Sequence, residues 1–309
     1  MSTPQKVKQL VILSGKGGTG KTSLTAALAH LASQSQPHID ALLVDADVDA
    51  ANLQIIINPI TSEKHAFQGS SIAKIDPQLC IGCGMCAKVC RYDAVHPSIE
   101  NEGVYIVDPI ACDGCAACVY ACPQNAIQMI VQQEGEWFHS QTRYSDLFHA
   151  ELFPGGENSG KLVTTIKQHA RLHAEDHHIP LVIIDGPPGI GCPVISASAG
   201  VDLGLIVTEP SVAGIHDLKR IYATLQHFKI PTLLVINKAD LYPQGCREIE
   251  EFASAQHISI VGQMPYEPLT PKAMLQGKPV TAAFPDAPIS RELQKIWERI
   301  AAKLAVEEV

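Results

Sequence analysis

Eight of the ten cysteines crowd into residues 80–122, and they do so twice in one pattern. IDPQLCIGCGMCAKVCRYDAV (Ile75–Val95) aligns with VDPIACDGCAACVYACPQNAI (Val107–Ile127) at a constant offset of 32. Every cysteine, the Asp-Pro pair and the trailing alanine match, which marks an internally duplicated module. Met1–Lys8 is polar and runs straight into an apolar stretch, without a secretory h-region. Cysteines in that setting predict metal ligation in a reducing compartment rather than disulfides, and a cytoplasmic protein. No apolar run approaches the roughly 20 residues of a membrane span.

Outside the duplication, the chain alternates between short apolar strands and helix-length segments. Val7–Leu13, Ala41–Val44, Leu181–Ile184, Leu203–Val207, Thr232–Ile236 and Ile258–Val261 read as strands. Apolar strands without polar alternation, spaced by helices, predict a parallel sheet covered on both faces. The rhythm breaks between about Ala66 and Phe138. The expected organisation is therefore a discontinuous α/β domain, residues 1–65 and 140–309, interrupted by a module over 66–139. Loops are expected at Pro154–Ser159 and Pro285–Pro288. The net charge of −9 argues against a general nucleic-acid binder, which needs a basic face for phosphates.

Gly15-Lys16-Gly17-Gly18-Thr19-Gly20-Lys21-Thr22 fits G-x-x-x-x-G-K-[ST] and lies between a strand and a helix, where a phosphate loop belongs. Glycines there turn backbone N–H groups onto phosphate oxygens, and the helix N-terminus adds its positive end. Gly15, Gly17, Gly18, Thr19, Gly20, Lys21, Thr22 and Ser23 are the expected nucleotide contacts. Lys21 is assigned to the β- and γ-phosphates and Thr22 to Mg²⁺. Asp185 closes a buried strand and is expected to hold Mg²⁺ directly or through water. Asp45 and Asp47 follow another strand: Asp47 is expected to orient the attacking water, Asp45 to lie nearer the metal.

GKGGTGKT resembles the deviant phosphate loop of the MinD/ParA/Mrp class of ATPases, which includes the nitrogenase iron protein. DADVDAANL (Asp45–Leu53) and VIIDGPPGIG (Val182–Gly191) are similar to that family's first switch and to its Walker B and second-switch segment. The resemblance covers nearly the whole chain outside the duplication. It implies an α/β fold of the P-loop (SIMIBI/MinD-like) type, a mostly parallel sheet flanked by helices, with an inserted α+β ferredoxin-like domain. It also implies ATPase activity, a homodimer, and a catalytic Lys16 that crosses the dimer interface. Asn237-Lys238-Ala239-Asp240 resembles the guanine-reading N-K-x-D motif, whereas the family uses an Asn at that strand end for adenine. Asn237 is the purine contact in either case, and ATP is the expected nucleotide.

The C-x₂-C-x₂-C-x₃-C spacing, repeated, is that of bacterial ferredoxins. Three close cysteines reach one cluster and the fourth reaches the other. Cys80, Cys83, Cys86 and Cys122 are therefore expected on one 4Fe–4S cluster, and Cys112, Cys115, Cys118 and Cys90 on the second. Zinc is the competing occupant. Arg91 stands where the pattern usually has proline, which leaves the turn at Cys90 open. Three functions compete: ATP-gated electron transfer to a redox partner, a carrier or assembly role in iron–sulfur maturation with a cluster-accepting partner, and nucleotide-dependent positioning. Neither nucleic acid nor membrane is an expected partner. His169, His173 and His177, at helical spacing, are expected on a solvated face. Leu293, Ile296, Trp297, Ile300 and Leu304 are expected to pack on the domain as one face of a helix, with the polar tail Glu307-Glu308 beyond. Cys246 is read as a small buried hydrophobe. Cys192 is read as a small packed residue, or as a thiol that, paired with its counterpart in the ATP-bound dimer, transiently ligates metal or comes close to an inserted cluster.

Overall fold

The computed structural model describes residues 6–156 and 159–304. In chain order its elements are β1 (Lys8–Ser14), α1 (Lys21–Gln34), β2 (Ala41–Asp45), α2 (Leu53–Ile57), β3 (Thr61–Ile75), α3 (Met85–Val89), β4 (Val95–Pro97), β5 (Tyr105–Val107), α4 (Ala117–Ala121) and β6 (Ile127–Gln141). There follow β7 (Asp146–Leu152), α5 (Ser159–Asp176), β8 (Leu181–Pro188), α6 (Cys192–Ser198), β9 (Leu203–Thr208), α7 (Val212–His227), β10 (Thr232–Ile236), α8 (Pro243–Ala255), β11 (Ser259–Gln263), α9 (Leu269–Met274), α10 (Val280–Ala283) and α11 (Pro288–Leu304). The chain forms two compact units. One comprises Met1–His65, Glu136–Leu152 and Ser159–Val309; the other comprises Ala66–Gly135 and Phe153–Asn158. The expected loop Pro154–Ser159 includes residues 157 and 158, and the tail Glu307-Glu308 also lies outside the described residues.

The first unit is built on strands in the order β11-β10-β9-β1-β8-β2-β7. Every pairing from β11 to β7 is parallel. Its strands are apolar throughout because both faces are covered: β2, β9 and nearly all of β1 are buried. One face carries Leu10, Ile12, Leu43, Ile183, Leu205 and Val235, packed with residues of α1, α2, α10 and α11 in a single core. Helices α5, α6, α7 and α8 pack among themselves and on the strands from the other side. Helix α11 buries Leu293, Ile296, Trp297, Ile300 and Leu304 as one stripe, the packed face that its spacing predicts. Strand β7 escapes the sequence reading because its apolar residues are broken by Asp146, His149 and Glu151, yet it pairs in parallel with β2.

In the second unit the 32-residue offset becomes a structural repeat. Asp76 N–H donates to the Ala126 carbonyl at 2.8 Å, and Asp108 N–H donates to the Ala94 carbonyl at 2.7 Å, each the other displaced by 32. Strands β4 and β5 pair antiparallel through Val95 and Val107. Short helices α3 and α4 each begin after a residue of positive φ, Gly84 and Ala116. A Cβ at Gly82 would fall 2.2 Å from the Gly103 carbonyl oxygen, and one at Gly114 2.3 Å from that of Ser71, so glycine is required at both places. Arg91 does not disturb the first turn. Ala94 N–H donates to Cys90 Sγ at 3.4 Å as Ala126 N–H does to Cys122 Sγ at 3.3 Å, and Asp93 and Asn125 share φ 49°.

His149, on β7, is buried, and burial lowers its pKa to about 4. The unfolded chain binds a proton near the ordinary value of about 6.5. Between those pH values the unfolded state therefore holds more protons than the folded one, and stability falls as the pH drops. Urea midpoints should fall between pH 7.5 and pH 5, and less steeply in a His149→Phe variant; equal slopes in the two proteins would refute the assignment.

Candidate functional site

The C-terminal ends of the parallel strands converge on the loop between β1 and α1. That edge is where sheets of this class hold their ligands, because loops and helix N-termini gather there. Gly20 precedes α1 with φ 94°, and a Cβ on it would fall 2.4 Å from Asn237 Nδ2, so the loop can close against β10 only with glycine. Asn237 Nδ2 donates to the Thr19 carbonyl at 2.8 Å, and Lys238 Nζ donates to the Gly18 carbonyl at 3.0 Å. The end of β10 thus holds the loop from one side.

Beneath the loop, Lys21 Nζ lies 3.0 Å from Asp185 Oδ1, with both groups buried. Thr25 Oγ1 donates to the same oxygen at 3.0 Å. Asp185 Oδ2 is buried without a hydrogen-bond partner among the described residues. Asp45 is the register neighbour of Asp185 across β2 and β8 and is fully buried. Burial, then the charge of Asp185, push the Asp45 pKa up to about 7, against the N–H groups of Leu53 and Asp47 and the charge of Lys21. Both its oxygens accept backbone N–H groups, from Asp47 at 3.1 Å, Asn52 at 3.1 Å and Leu53 at 3.0 Å. Asp45 thereby fixes the turn that carries Asp47 to the cavity. Asp47 is half-buried, and burial raises its pKa.

A cavity of about 410 Å³ opens above these groups. Lys16, Gly17, Gly18, Thr19, Gly20, Lys21, Thr22, Ser23, Asp47 and Asn237 all line it. Its apolar end is formed by Met264, Tyr266, Met274 and Leu293, which strand spacing alone does not single out. Gly15, Asp45, Asp185 and Asp240 are absent from the lining. Asp240 Oδ1 instead accepts the Tyr266 N–H at 2.6 Å.

Two charged groups lie outside the motifs. Glu209, just after β9, pairs with Lys16 at 2.5 Å and with Lys238 at 2.9 Å. Partial burial pulls its pKa up, but the two lysines outweigh that and hold it at about 2. Lys167, on α5, donates to the Ser196, Ala197 and Ala199 carbonyls at the end of α6, and burial lowers its pKa to about 8. An acid after a strand was the only sign of Glu209; a single lysine within a helix gave none of Lys167. Cys192 is exposed in the first turn of α6 rather than packed, whereas Cys246 is buried as expected, its thiol donating to the Ala239 carbonyl at 3.1 Å.

In the second unit two small cavities sit beside the cysteine runs. Cys80, Cys83, Cys86 and Cys122 line one; Cys90, Cys112, Cys115 and Cys118 line the other. Each run thus contributes three residues to one cavity and its fourth to the other. All eight thiols are free of disulfides, and burial raises the pKa of Cys86 and Cys118.

The sequence profile of the CobQ/CobB/MinD/ParA nucleotide binding domain matches residues 10–280. An uncharacterized protein of Methanocaldococcus jannaschii, MJ0578, is 35% identical over 236 residues, 75% of this chain and 78% of that one. An iron-sulfur cluster carrier protein of Aquifex aeolicus is 26% identical over 131 residues, covering 38% of this chain and 36% of its own length. Among solved structures, the septum site-determining protein MinD of Pyrococcus horikoshii, complexed with Mg-ADP, has a TM-score of 0.58 at 15% identity, covering 98% of this chain and 100% of that one. At that identity the likeness is one of fold.

The loop geometry gives an internal control. Gly20→Ala should cost about 1–3 kcal/mol through its positive φ and the clash with Asn237. A Cβ at Gly17 meets nothing within 4 Å, so Gly17→Ala should stay within about 0.5 kcal/mol of wild type. Urea unfolding of both variants measures the difference, and equal midpoints would contradict the packing described.

Proposed function

The chain belongs to the CobQ/CobB/MinD/ParA nucleotide-binding family, and from that premise we propose that it is an ATPase whose inserted ferredoxin-like domain, the cysteine-bearing segment Ala66–Gly135, carries two 4Fe–4S clusters. Working as a nucleotide-sandwiched dimer, it couples ATP turnover to electron transfer toward a protein partner. The observation that carries this reading is the division of eight cysteines between two cavities, with the fourth ligand of each crossing from the other run. A single zinc ion would draw four thiolates to about 3.8 Å from one another, as Zn–S bonds near 2.3 Å require. Among the described residues, the one set of three or more ligand atoms mutually within 4.8 Å contains no cysteine. The wider spacing favours a cluster over zinc.

Held there, 4Fe–4S clusters supply one-electron redox chemistry. The chain supplies the thiolates and the groups that tune them. The Ala94 and Ala126 N–H groups, donated to Cys90 and Cys122, stabilise negative charge on sulfur and so favour the reduced state.

At the nucleotide, Lys21 exchanges Asp185 for the β- and γ-phosphates, where its charge offsets theirs. The orphaned Asp185 Oδ2 and the Thr22 hydroxyl fit Mg²⁺, with Asp45 reaching it through water. Asp47 holds the attacking water. Asp240, which does not line the cavity and whose Oδ1 is taken up by the Tyr266 N–H, favours adenine over guanine as the base beside Asn237. Lys16 reaches a partner's nucleotide only after it leaves Glu209. The similarity to an iron-sulfur cluster carrier protein favours a second reading, cluster delivery to an acceptor.

Lys21→Ala should abolish ATP turnover. Lys16→Ala should retain nucleotide binding while losing turnover and dimerisation; wild-type turnover in that variant would refute the crossing role. Anaerobically purified protein should hold about eight iron and eight sulfide per chain, the sum of two cubanes, and a Cys83→Ser, Cys115→Ser double variant should lose them. Stoichiometric zinc without sulfide would end the cluster reading. EPR of the reduced protein, with and without ATP and its non-hydrolysable analogue, separates the two functions. Nucleotide-dependent spectra with retained iron support electron transfer, and loss of cluster to an apo-acceptor supports delivery.

A further inference from the structure

Three side chains of the first unit, none of them lining the cavities described above, converge from three elements. His139 Nε2, near the end of β6, lies 3.0 Å from Asp146 Oδ2 at the start of β7. His173 Nε2, in the last turns of α5, lies 3.1 Å from the same oxygen. The three ligand atoms lie mutually within 4.8 Å, and theirs is the only such set among the described residues. Their side chains are 20%, 27% and 20% exposed, so an ion can enter and keep an open position for water.

Aromatic contacts fix the two imidazoles. Phe148 stacks on the His139 ring at 4.6 Å and meets the His173 ring edge-on at 5.6 Å. His177 stacks on His173 at 4.2 Å, and one turn earlier His169 stacks on Trp137 at 4.4 Å. The helix face expected to be merely solvated is therefore built into the β6–β7 hairpin. A tetrahedral zinc ion, with bonds near 2.0–2.1 Å to nitrogen and oxygen, spaces its ligand atoms by about 3.4 Å. The two nitrogens already stand close to that distance from the shared oxygen.

We propose that His139, Asp146 and His173 form a binding site for one divalent transition-metal ion of the zinc or iron(II) class. Two imidazoles and one carboxylate with a free position form a donor set suited to such borderline ions rather than to Ca²⁺ or Mg²⁺, which prefer oxygen. The metal takes the place of the two imidazole protons that otherwise point at Asp146 Oδ2, and the carboxylate offsets its charge. Its effect is to clip the β6–β7 hairpin to α5.

The test uses the cluster-loaded protein under anaerobic conditions, with zinc as the probe. Carbethoxylation of individual histidines is followed by mass spectrometry with and without the metal. With zinc held about tenfold above its Kd, His139 and His173 should react roughly tenfold more slowly, by simple occupancy, while exposed His38 and His257 keep their rates. Bound zinc should fall by one per chain in His139→Ala, His173→Ala and Asp146→Asn, with iron and sulfide unchanged. The protection measurement needs no variant to fold. If His139 and His173 react at the same rate with and without zinc, the three residues form a hydrogen-bonded His–Asp–His network only, and the proposal fails.

Discussion

A lysine and an aspartate buried together beneath the β1–α1 loop organise the nucleotide site. Lys21 and Asp185 are each nearly sealed from water, and removing either partner would leave an uncompensated buried charge, a loss of about 3–5 kcal/mol. The pair joins the first turn of α1 to the end of β8, and Thr25 adds a second tie from the same helix to the same oxygen. Because Asp45 is the neighbour of Asp185 across the sheet, the charge of Asp185 adds to burial in raising the Asp45 pKa. The Asp45 carboxylate in turn holds the Asp47–Leu53 turn by its backbone. One buried ion pair thus reaches, through two strands and one helix, nearly every residue assigned to phosphate or metal.

The two units are built by different economies of structure. The first buries a large apolar core on both faces of its sheet. The second has only a small cluster, Ala73, Ile75, Cys86, Val95, Cys118 and Ile127, with further cysteines packed at its margin. A core of that size leaves stability to other sources, as small modules commonly do through metal ligation. That is a physical reason for cysteine to stand in both the core and the cavities.

What could be read from the sequence divides along the same line. The phosphate loop was legible because its glycines, lysine and threonine act locally, between a strand and a helix. The cysteine cavities follow the spacing because each run folds over a few residues and the repeat fixes its partner. Strands β2, β8, β9 and β10 were legible through unbroken apolar runs. Strand β7 was not, since Asp146, His149 and Glu151 interrupt its apolar residues, and their partners His139, His173, Ser140 and Gln54 are set by the fold rather than by a period. Glu209 and Lys167 act through tertiary contacts to backbone and lysine that carry no periodic signal. The histidines of α5 looked like a wet helix face because their partners, Trp137, His139 and Asp146, lie 27 to 34 residues upstream of His173 or His169. Helical spacing contains no record of such partners.

The exchange of the fourth cysteine between runs has a consequence for how the smaller unit comes into being. Neither repeat can finish its own cavity, and the reciprocal hydrogen bonds from Asp76 to Ala126 and from Asp108 to Ala94 add a second interlock. Each cavity therefore needs residues of both repeats before it is complete. The Asn101–Gly103 turn is the covalent link between two halves that each supply the other's missing part.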